Sequence, residues 1–457
     1  MSLVIEIFHS HKTPWEVFQA VHASSKSCFF LDSPQYAPPD QVFSYIGMDP
    51  ELEIRLGEKA LHIEGNLSGQ YPSSEFFPVL KKILKKHQAS PRGTQPFFTG
   101  GFVGYFGYET AALCDKIKFR QKPSPAIPRV YLGLFRDVIV YDHQKRVYHF
   151  VTNSRRTEKI KACFERPAVK SKQHFRLKKF TAEMTKGRFE GMVKKAKEYI
   201  AAGDIYQANL SQRFSFGYQG SSLELYGKLR AINPSPFSCF LKTGDLEIVS
   251  SSPERLVQKK GRICETRPIA GTCPARGSSK RLGEWRKNLL QNEKEKAEHL
   301  MLVDLERNDL GRVCDYRSVK VEEFMTLEKY SHVVHIVSKI TGKLRKGKDA
   351  LDVIKAMFPG GTITGCPKIR CMQIIDELEP VQRGAYTGSL GYIDLQGDMD
   401  LNIVIRTILL KKGRGHLQVG AGIVYDSDPE KEYEETLHKA EALVQALQEA
   451  SKNEDEG

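Results

Sequence analysis

Two pairs of glutamates stand three residues apart in segments that read as helices. Glu295 and Glu298 lie in KNLLQNEKEKAEHLMLVDLERNDLGRV, where Ala297, Met301 and Leu305 recur on one side at four-residue spacing. Glu432 and Glu435 follow Ser427-Asp428-Pro429, an N-cap and a proline suited to a first helical turn. Residues three apart on a helix project from neighbouring positions of one face. Two such pairs offer oxygen ligands to one hard cation. Magnesium suits that set, because it keeps waters and often completes its shell with an anionic substrate. Glutamates on charge-rich helices are also ordinarily just solvated, and spacing alone leaves both readings open.

Four glycine-rich blocks accompany them. They are Arg267-Pro268-Ile269-Ala270-Gly271-Thr272, Phe358-Pro359-Gly360-Gly361-Thr362-Ile363-Thr364-Gly365, Tyr386-Thr387-Gly388 and Val419-Gly420-Ala421-Gly422-Ile423-Val424. Glycine lets backbone N–H groups approach an anion, and successive N–H groups form an anion nest. Each block alone is equally a tight turn. Joined to the glutamate pairs, they suggest a place for a carboxylated ring.

The elements that must position these residues follow from patterning. Residues 1 to about 155 alternate short apolar runs with turn signals, as in CFFLDSPQYAPPD, VFSYIGMDP and RVYLGLFRDVIVYD. These predict strands, interrupted by one helix near 75–88. From about 154 to 180 the chain is polar and basic, which predicts a linker. Beyond it, FEGMVKKAKEYIAAG predicts a helix, YQANLSQRFSF a strand, 286–310 a long helix, and the stretch from Pro429 another. The tail SKNEDEG is charged and expected to be disordered. No repeat of fixed period occurs.

At 457 residues the chain exceeds the size at which one core keeps growing, so two lobes are expected. Apolar residues at 40% and charged residues at 27% fit an ordinary globular protein, and no stretch approaches the roughly 20 apolar residues of a membrane span. The start, MSLVIEIFHSHK, lacks the features of a secretory signal. Nine scattered cysteines without CxxC pairs predict reduced thiols and a cytoplasmic location. The net charge of +14 raises nucleic-acid binding as a rival of a different class. Its basic runs (Lys81-Lys82 with Lys85-Lys86, Lys170 to Lys179, Lys411-Lys412 with Arg414) are short and dispersed. They lack the interleaved aromatics of a stacking platform and read as solvated surface, so neither nucleic acid nor membrane is an expected partner.

The ordered motifs GDIYQANLSQRF, NPSPFSCFL, SSPERLV, TRPIAGT, EKAEHLMLVDLERNDLGRV, HVVHIVSKITG, FPGGTITGCPKIR, YTGSLGY, DLNIVIRT and VGAGIVYDSDPEKEYEET resemble a known family. Residues 180–448 look like the chorismate-binding domain shared by anthranilate, aminodeoxychorismate, isochorismate and salicylate synthases. Residues 1–155 resemble that family's N-terminal lobe, through FLDS, FSYIG and GGFVGYFGYE; 449–457 remain as a charged tail. The resemblance implies an α+β fold: a two-lobed β-sandwich of mainly antiparallel sheets flanked by helices. It implies magnesium held directly by Glu298 and Glu435, supported by Glu295 and Glu432, and bridging to the ring carboxylate of chorismate. Backbone groups of Gly420, Ala421 and Gly422 would hold that region. Tyr386 and Arg406 match residues gripping the enolpyruvyl carboxylate, a task suited to the planar arginine fork. Gly271, Thr272 and Thr362 match further substrate contacts, His335 the family's active-site histidine, and Glu254 its general acid, which protonates the departing C4 hydroxyl.

Gln207 selects within the family. Members that add water carry a lysine here as general base, because water is a poor nucleophile until deprotonated. Ammonia is nucleophilic when neutral, so a glutamine suffices, and isochorismate and salicylate synthesis are disfavoured. Of the two ammonia users, FPGGTITGCPKIR, YTGSLGY, DLNIVIRT and FLDS resemble the aminodeoxychorismate branch. Anthranilate synthases tend to carry a glutamate before the serine of FLDS, within their tryptophan-feedback site, and often a methionine at Ser238. Ala270 cuts the other way. Some aminodeoxychorismate synthases place a lysine there for covalent attack at C2, so here amination at C4 needs another route: water at C2 later displaced, or ammonia directly at C4. Neither Cys273 nor Cys366 sits in the G-x-C-x-G turn of a glutaminase. Ammonia would therefore come from a separate glutamine amidotransferase subunit.

Overall fold

The computed structural model describes residues 4–33, 42–88, 95–115, 117–121, 126–152, 157–165, 174–274, 285, 291–329 and 333–452. Short runs rich in aromatic and β-branched residues, such as Ser27–Asp32 (SCFFLD) and Val130–Phe135 (VYLGLF), form strands. All six residues of Val130–Phe135 are buried rather than alternating in and out. Such a strand needs cover on both faces. Two antiparallel sheets packed against each other, with helices outside, supply it.

The first sheet starts at Val4–Phe8 and runs through Val147–Thr152, Val138–Asp142, Phe43–Met48 and Ser27–Asp32. It continues through Phe237–Thr243, Leu246–Ser252, Thr407–Lys411, Arg414–Ile423 and Gln207–Gln219 to Arg176–Ala182. The second runs from Ile269–Pro274 through Val333–Lys343, Ile263–Thr266, Arg255–Lys260, Met399–Asn402 and Ser389–Asp394. It then passes to Gly101–Phe106, Val130–Phe135, Leu52–Leu56, Ala60–Gly65 and Gly69–Pro72. Each sheet therefore draws strands from both parts of the chain. Ser27–Asp32 pairs with Phe237–Thr243, and Gly101–Phe106 pairs with Ser389–Asp394.

Between the sheets lies a core that includes Phe29, Tyr105, Tyr131, Phe135, Leu241, Ile248 and Leu390. Phe29 and Phe135 meet edge to face across it, with centroids 4.8 Å apart. Outside the first sheet pack helices Pro14–Ser24, Ser222–Ile232 and Pro429–Ser451; outside the second, Phe76–His87 and Ala350–Met357. The α+β sandwich implied by the resemblance is the observed architecture, and no helix among the described residues is long and apolar enough to cross a membrane.

The helices expected near 75–88 and in 189–203 occur as Phe76–His87 and Lys186–Ala201. Asp428 caps the terminal helix, accepting from the N–H groups of Glu430 at 3.1 Å and Lys431 at 3.0 Å. The helix expected over 286–310 is Glu293–Gly311; residues 286–290 of that expectation lie outside the described residues, as do 453–457 of the charged tail. The expected linker is corrected in part. Thr157–Glu165 is a helix and Arg176–Ala182 an edge strand. Ile160, Cys163 and Phe164 recur at helical spacing and are buried in the first sheet's outer core. Dense lysines and arginines around them hid that stripe.

Candidate active site

The site forms where the chain crosses between the sheets. After Leu246–Ser252 in the first sheet, Pro253 and Glu254 lead into Arg255–Lys260 of the second. The return crossing, 403–406, ends at Arg406 before Thr407–Lys411. Backbone bonds fix both corners: Ile403 N–H donates to Glu254 O at 3.0 Å, and Ser251 N–H donates to Arg406 O at 3.1 Å. Arg406 adopts φ of 49°, a conformation costly for a side-chain-bearing residue and found where surroundings enforce it.

Burial pushes the Glu254 carboxyl up to about 7, against the pull of Thr362, Arg406 and Lys439. An acid that keeps its proton near neutrality can donate it to a leaving group. The Thr362 hydroxyl is near enough to draw that value down, yet completes no well-formed hydrogen bond. Burial lowers the Arg406 pKa and the nearby Glu254 raises it. Among the described residues its guanidinium makes no hydrogen bond or ion pair. A desolvated cation that faces Glu254 but is not hydrogen-bonded to it or to any other described carboxylate is suited to an incoming one.

Strands Gln207–Gln219 and Arg414–Ile423 pair with Asn209 opposite Gly422 and Ser211 opposite Gly420. Gly420 and Gly422 share one face; a side chain on Gly420 would meet backbone, Leu210 O at 2.7 Å, whereas one on Gly422 would displace the Gln207 amide. A Cβ on Gly420 would sit 2.6 Å from Asn209 Oδ1 and 2.8 Å from Tyr386 Oη; on Gly422, 2.6 Å from Gln207 Nε2. These bare positions gather Tyr386, Asn209 and Gln207 around the backbone. Ala421, between them, turns its methyl into the core under helix Lys186–Ala201, leaving only its peptide for the site. Gln207 Nε2 donates to Glu298 Oε1 at 3.2 Å, tying helix Glu293–Gly311 to this strand.

Gly271 occupies a bulge between strands Ile269–Pro274 and Val333–Lys343, with φ of 61°. Its carbonyl lies 3.0 Å from His335 Nδ1. A carbonyl only accepts, so Nδ1 carries the proton. Burial drops the His335 pKa to about 4, with Arg406 pushing the same way and the Gly271 bond opposing. Near neutrality His335 is therefore a neutral ring whose Nε2 acts as acceptor, not as acid. Thr272 lies in the strand, but its side chain is outside the described residues.

The four metal candidates lie on the two expected helices. Glu295 and Glu298 are half-buried on Glu293–Gly311; Glu432 is buried and Glu435 exposed on Pro429–Ser451. Among the described residues no three acidic, histidine or cysteine side chains converge into a preformed cage. Glu435 instead meets Lys439 Nζ at 2.6 Å, and that ammonium also donates to Gly420 O at 3.0 Å. Lys439 escaped the sequence reading; its place one turn after Glu435 was the available signal. Arg383 escaped it too. This buried guanidinium donates to Glu379, Ile363 O, Asn209 O and Thr387 Oγ1, and so fixes the turn carrying Tyr386. Only its proximity to YTG hinted at that task.

The chain belongs to the family of chorismate-binding enzymes: the family model, described as chorismate binding enzyme, matches residues 26–445. Among its relatives, aminodeoxychorismate synthase component 1 of Bacillus subtilis strain 168 is 43% identical over 90% of this chain and 88% of that protein. Anthranilate synthase component 1 of Methanothermobacter marburgensis is 40% identical over 97% and 95%. A crystal structure of anthranilate synthase component I from Streptococcus pneumoniae TIGR4 superimposes with a TM-score of 0.79 at 34% identity, covering 91% of this chain and 93% of that one.

Proposed function

We propose that this chain aminates chorismate, using ammonia from a separate glutaminase subunit, to give 4-amino-4-deoxychorismate. Gln207 carries the ammonia half of this reading. Its amide is bonded to Glu298 and cannot deprotonate water, whereas neutral ammonia needs no such base. Arg406 and Tyr386 would grip the enolpyruvyl carboxylate, Glu254 would give its proton to the departing C4 hydroxyl, and neutral His335 would accept a hydrogen bond. The carboxylates of Glu298 and Glu435, with Glu295 and Glu432 behind, suit magnesium in ligand type, since it takes one or two protein carboxylates, and Glu435 would leave Lys439 to reach it. Bound there, the cation would neutralise the ring carboxylate.

The choice of product rests on the motifs, on the similarity to the Bacillus subtilis protein, and on the region of FLDS. Asp32 is engaged by Arg230 Nε at 2.8 Å and Tyr226 Oη at 3.3 Å, and the Ser238 hydroxyl turns back to Ser235 O at 2.8 Å. Ala270 favours the second reading, anthranilate synthesis. Purified protein supplied with chorismate, magnesium and ammonium separates them. The expected product keeps the enolpyruvyl group and yields 4-aminobenzoate when a lyase is added. Pyruvate with fluorescent anthranilate would establish the alternative. Glu298→Gln is expected to weaken magnesium activation at least 10-fold, the loss typical when a metal site is disturbed; unchanged magnesium dependence would remove the metal assignment.

A further inference from the structure

A buried carboxylate from the N-terminal part of the chain grips the turn that carries Tyr386. Glu109 ends the motif GGFVGYFGYE, which the chemistry proposed above leaves unused. It lies in the short helical turn Tyr108–Thr110, just past strand Gly101–Phe106, and is 3% exposed. Its two oxygens take one backbone donor each, Arg383 N–H at 2.7 Å and Gly384 N–H at 3.1 Å. The neighbouring Tyr108 N–H donates to Gly384 O at 2.7 Å. Three bonds therefore clamp residues 383 and 384. Burial pushes the Glu109 carboxyl up to about 7, while the backbone donors and the Arg383 charge pull it down. The clamp thus favours the ionised form, with its two accepting oxygens.

The turn needs such a clamp. Gly384 has φ of 62° and Thr387 φ of 56°, and a β-branched residue adopts the second only where its surroundings impose it. On the far side Thr387 N–H donates to Val404 O at 2.7 Å, on the crossing that ends at Arg406. Tyr386 stands between these two anchors. The Arg383 guanidinium lies 4.8 Å from the centre of the Tyr108 ring and 5.7 Å from that of Tyr386, so both tyrosines close on one buried cation. We propose that Glu109 is a positioning residue for Tyr386, setting the place of its phenol beside Gly420 and so its grip on the enolpyruvyl carboxylate. This rests on the reading of Tyr386 as a contact to that carboxylate.

The test is a double-mutant cycle on KM for chorismate, with magnesium and ammonium supplied and the loss of chorismate followed. Gln at position 109 keeps one accepting oxygen but turns an NH2 toward a backbone N–H, so one of the two bonds is lost and the turn shifts. Glu109→Gln is expected to raise KM about 3- to 10-fold with kcat within about twofold, since a grip on a non-reacting group is felt in binding. Tyr386→Phe removes a hydrogen bond to a charged group and is expected to raise KM about 10-fold. In the double variant KM should stay within about twofold of Tyr386→Phe alone, because the clamp then has nothing left to position. Glu109→Asp keeps both oxygens on a shorter arm and should fall between wild type and Glu109→Gln; it carries the cycle if the Gln variant does not fold. Losses that multiply in the cycle, a fall in kcat at unchanged KM, or an unchanged KM in both Glu109 variants would overturn the proposal. If Tyr386→Phe leaves KM at the wild-type value, the reading of Tyr386 fails and this proposal with it. If it raises KM while the Glu109 losses multiply with it, only the role of Glu109 fails.

Discussion

Glu254→Gln is expected to lower kcat by about 10²- to 10⁴-fold, the range in which a positioned general acid contributes, with little change in chorismate affinity. Gln fills the same space but has no proton to give at the C4 oxygen. Wild type should lose activity as pH rises through about 7, where the buried carboxyl ionises, and the residual activity of the variant should lack that limb. Stability responds with a definite sign. The folded pKa lies above the usual 4.5 of a free carboxyl, so the unfolded chain sheds this proton first. Wild-type stability therefore falls as pH rises from about 4.5 to about 7 and then levels off. The raised value corresponds to destabilisation on the order of 3 kcal/mol above pH 7. Glu254→Gln removes it, so the inactive variant should melt higher than wild type at pH 8. A lower melting temperature there, or a wild-type rate, would remove Glu254 from the acid role.

Arg406→Ala is expected to have the next largest effect. Removing one partner of a buried, hydrogen-bonded charge pair costs roughly 2–5 kcal/mol, so KM for chorismate should rise at least about 30-fold. The same change should move the alkaline limb upward, because the Arg406 charge draws the Glu254 pKa down. Arg406→Lys restores the charge without the fork, so it should return the limb more fully than the affinity. Steady-state kinetics across pH on the three proteins reads both effects. An unchanged KM in the alanine variant would show that the carboxylate is held elsewhere.

Much of the architecture was legible because strands and helix starts are local signals. The buried runs of Ser27–Asp32 and Val130–Phe135, and the Asp428-Pro429 cap, need nothing but their neighbours in sequence to be read. The site was legible as residue types, through the resemblance, but not as geometry. Nothing in Ser-Pro-Glu announces that Glu254 and Arg406 sit on paired crossings between sheets. Nor does the block Gly420-Ala421-Gly422 show that its glycines clear space for Asn209, Tyr386 and Gln207, since those contacts span strands distant in sequence. Arg383 and Lys439 were passed over for the same reason. Each is an unremarked charge in a charge-rich stretch until its burial or its partner is known. The Thr157–Glu165 helix was missed because three apolar residues were outnumbered by surrounding charge.

The interleaving of the sheets also bears on how the protein comes into being. Strand Ser27–Asp32 needs Phe237–Thr243, and Gly101–Phe106 needs Ser389–Asp394. On a ribosome adding about 5–20 residues per second, the first of these edges waits roughly 10–40 s for its partner. During that time apolar strands such as Ser27–Asp32 have backbone groups ready to pair with another nascent chain. Folding must be late and dominated by distant contacts, which makes it slow. The newly made chain is therefore expected to depend on chaperones more than its ordinary composition suggests, and yield during expression should fall before the finished enzyme itself becomes unstable.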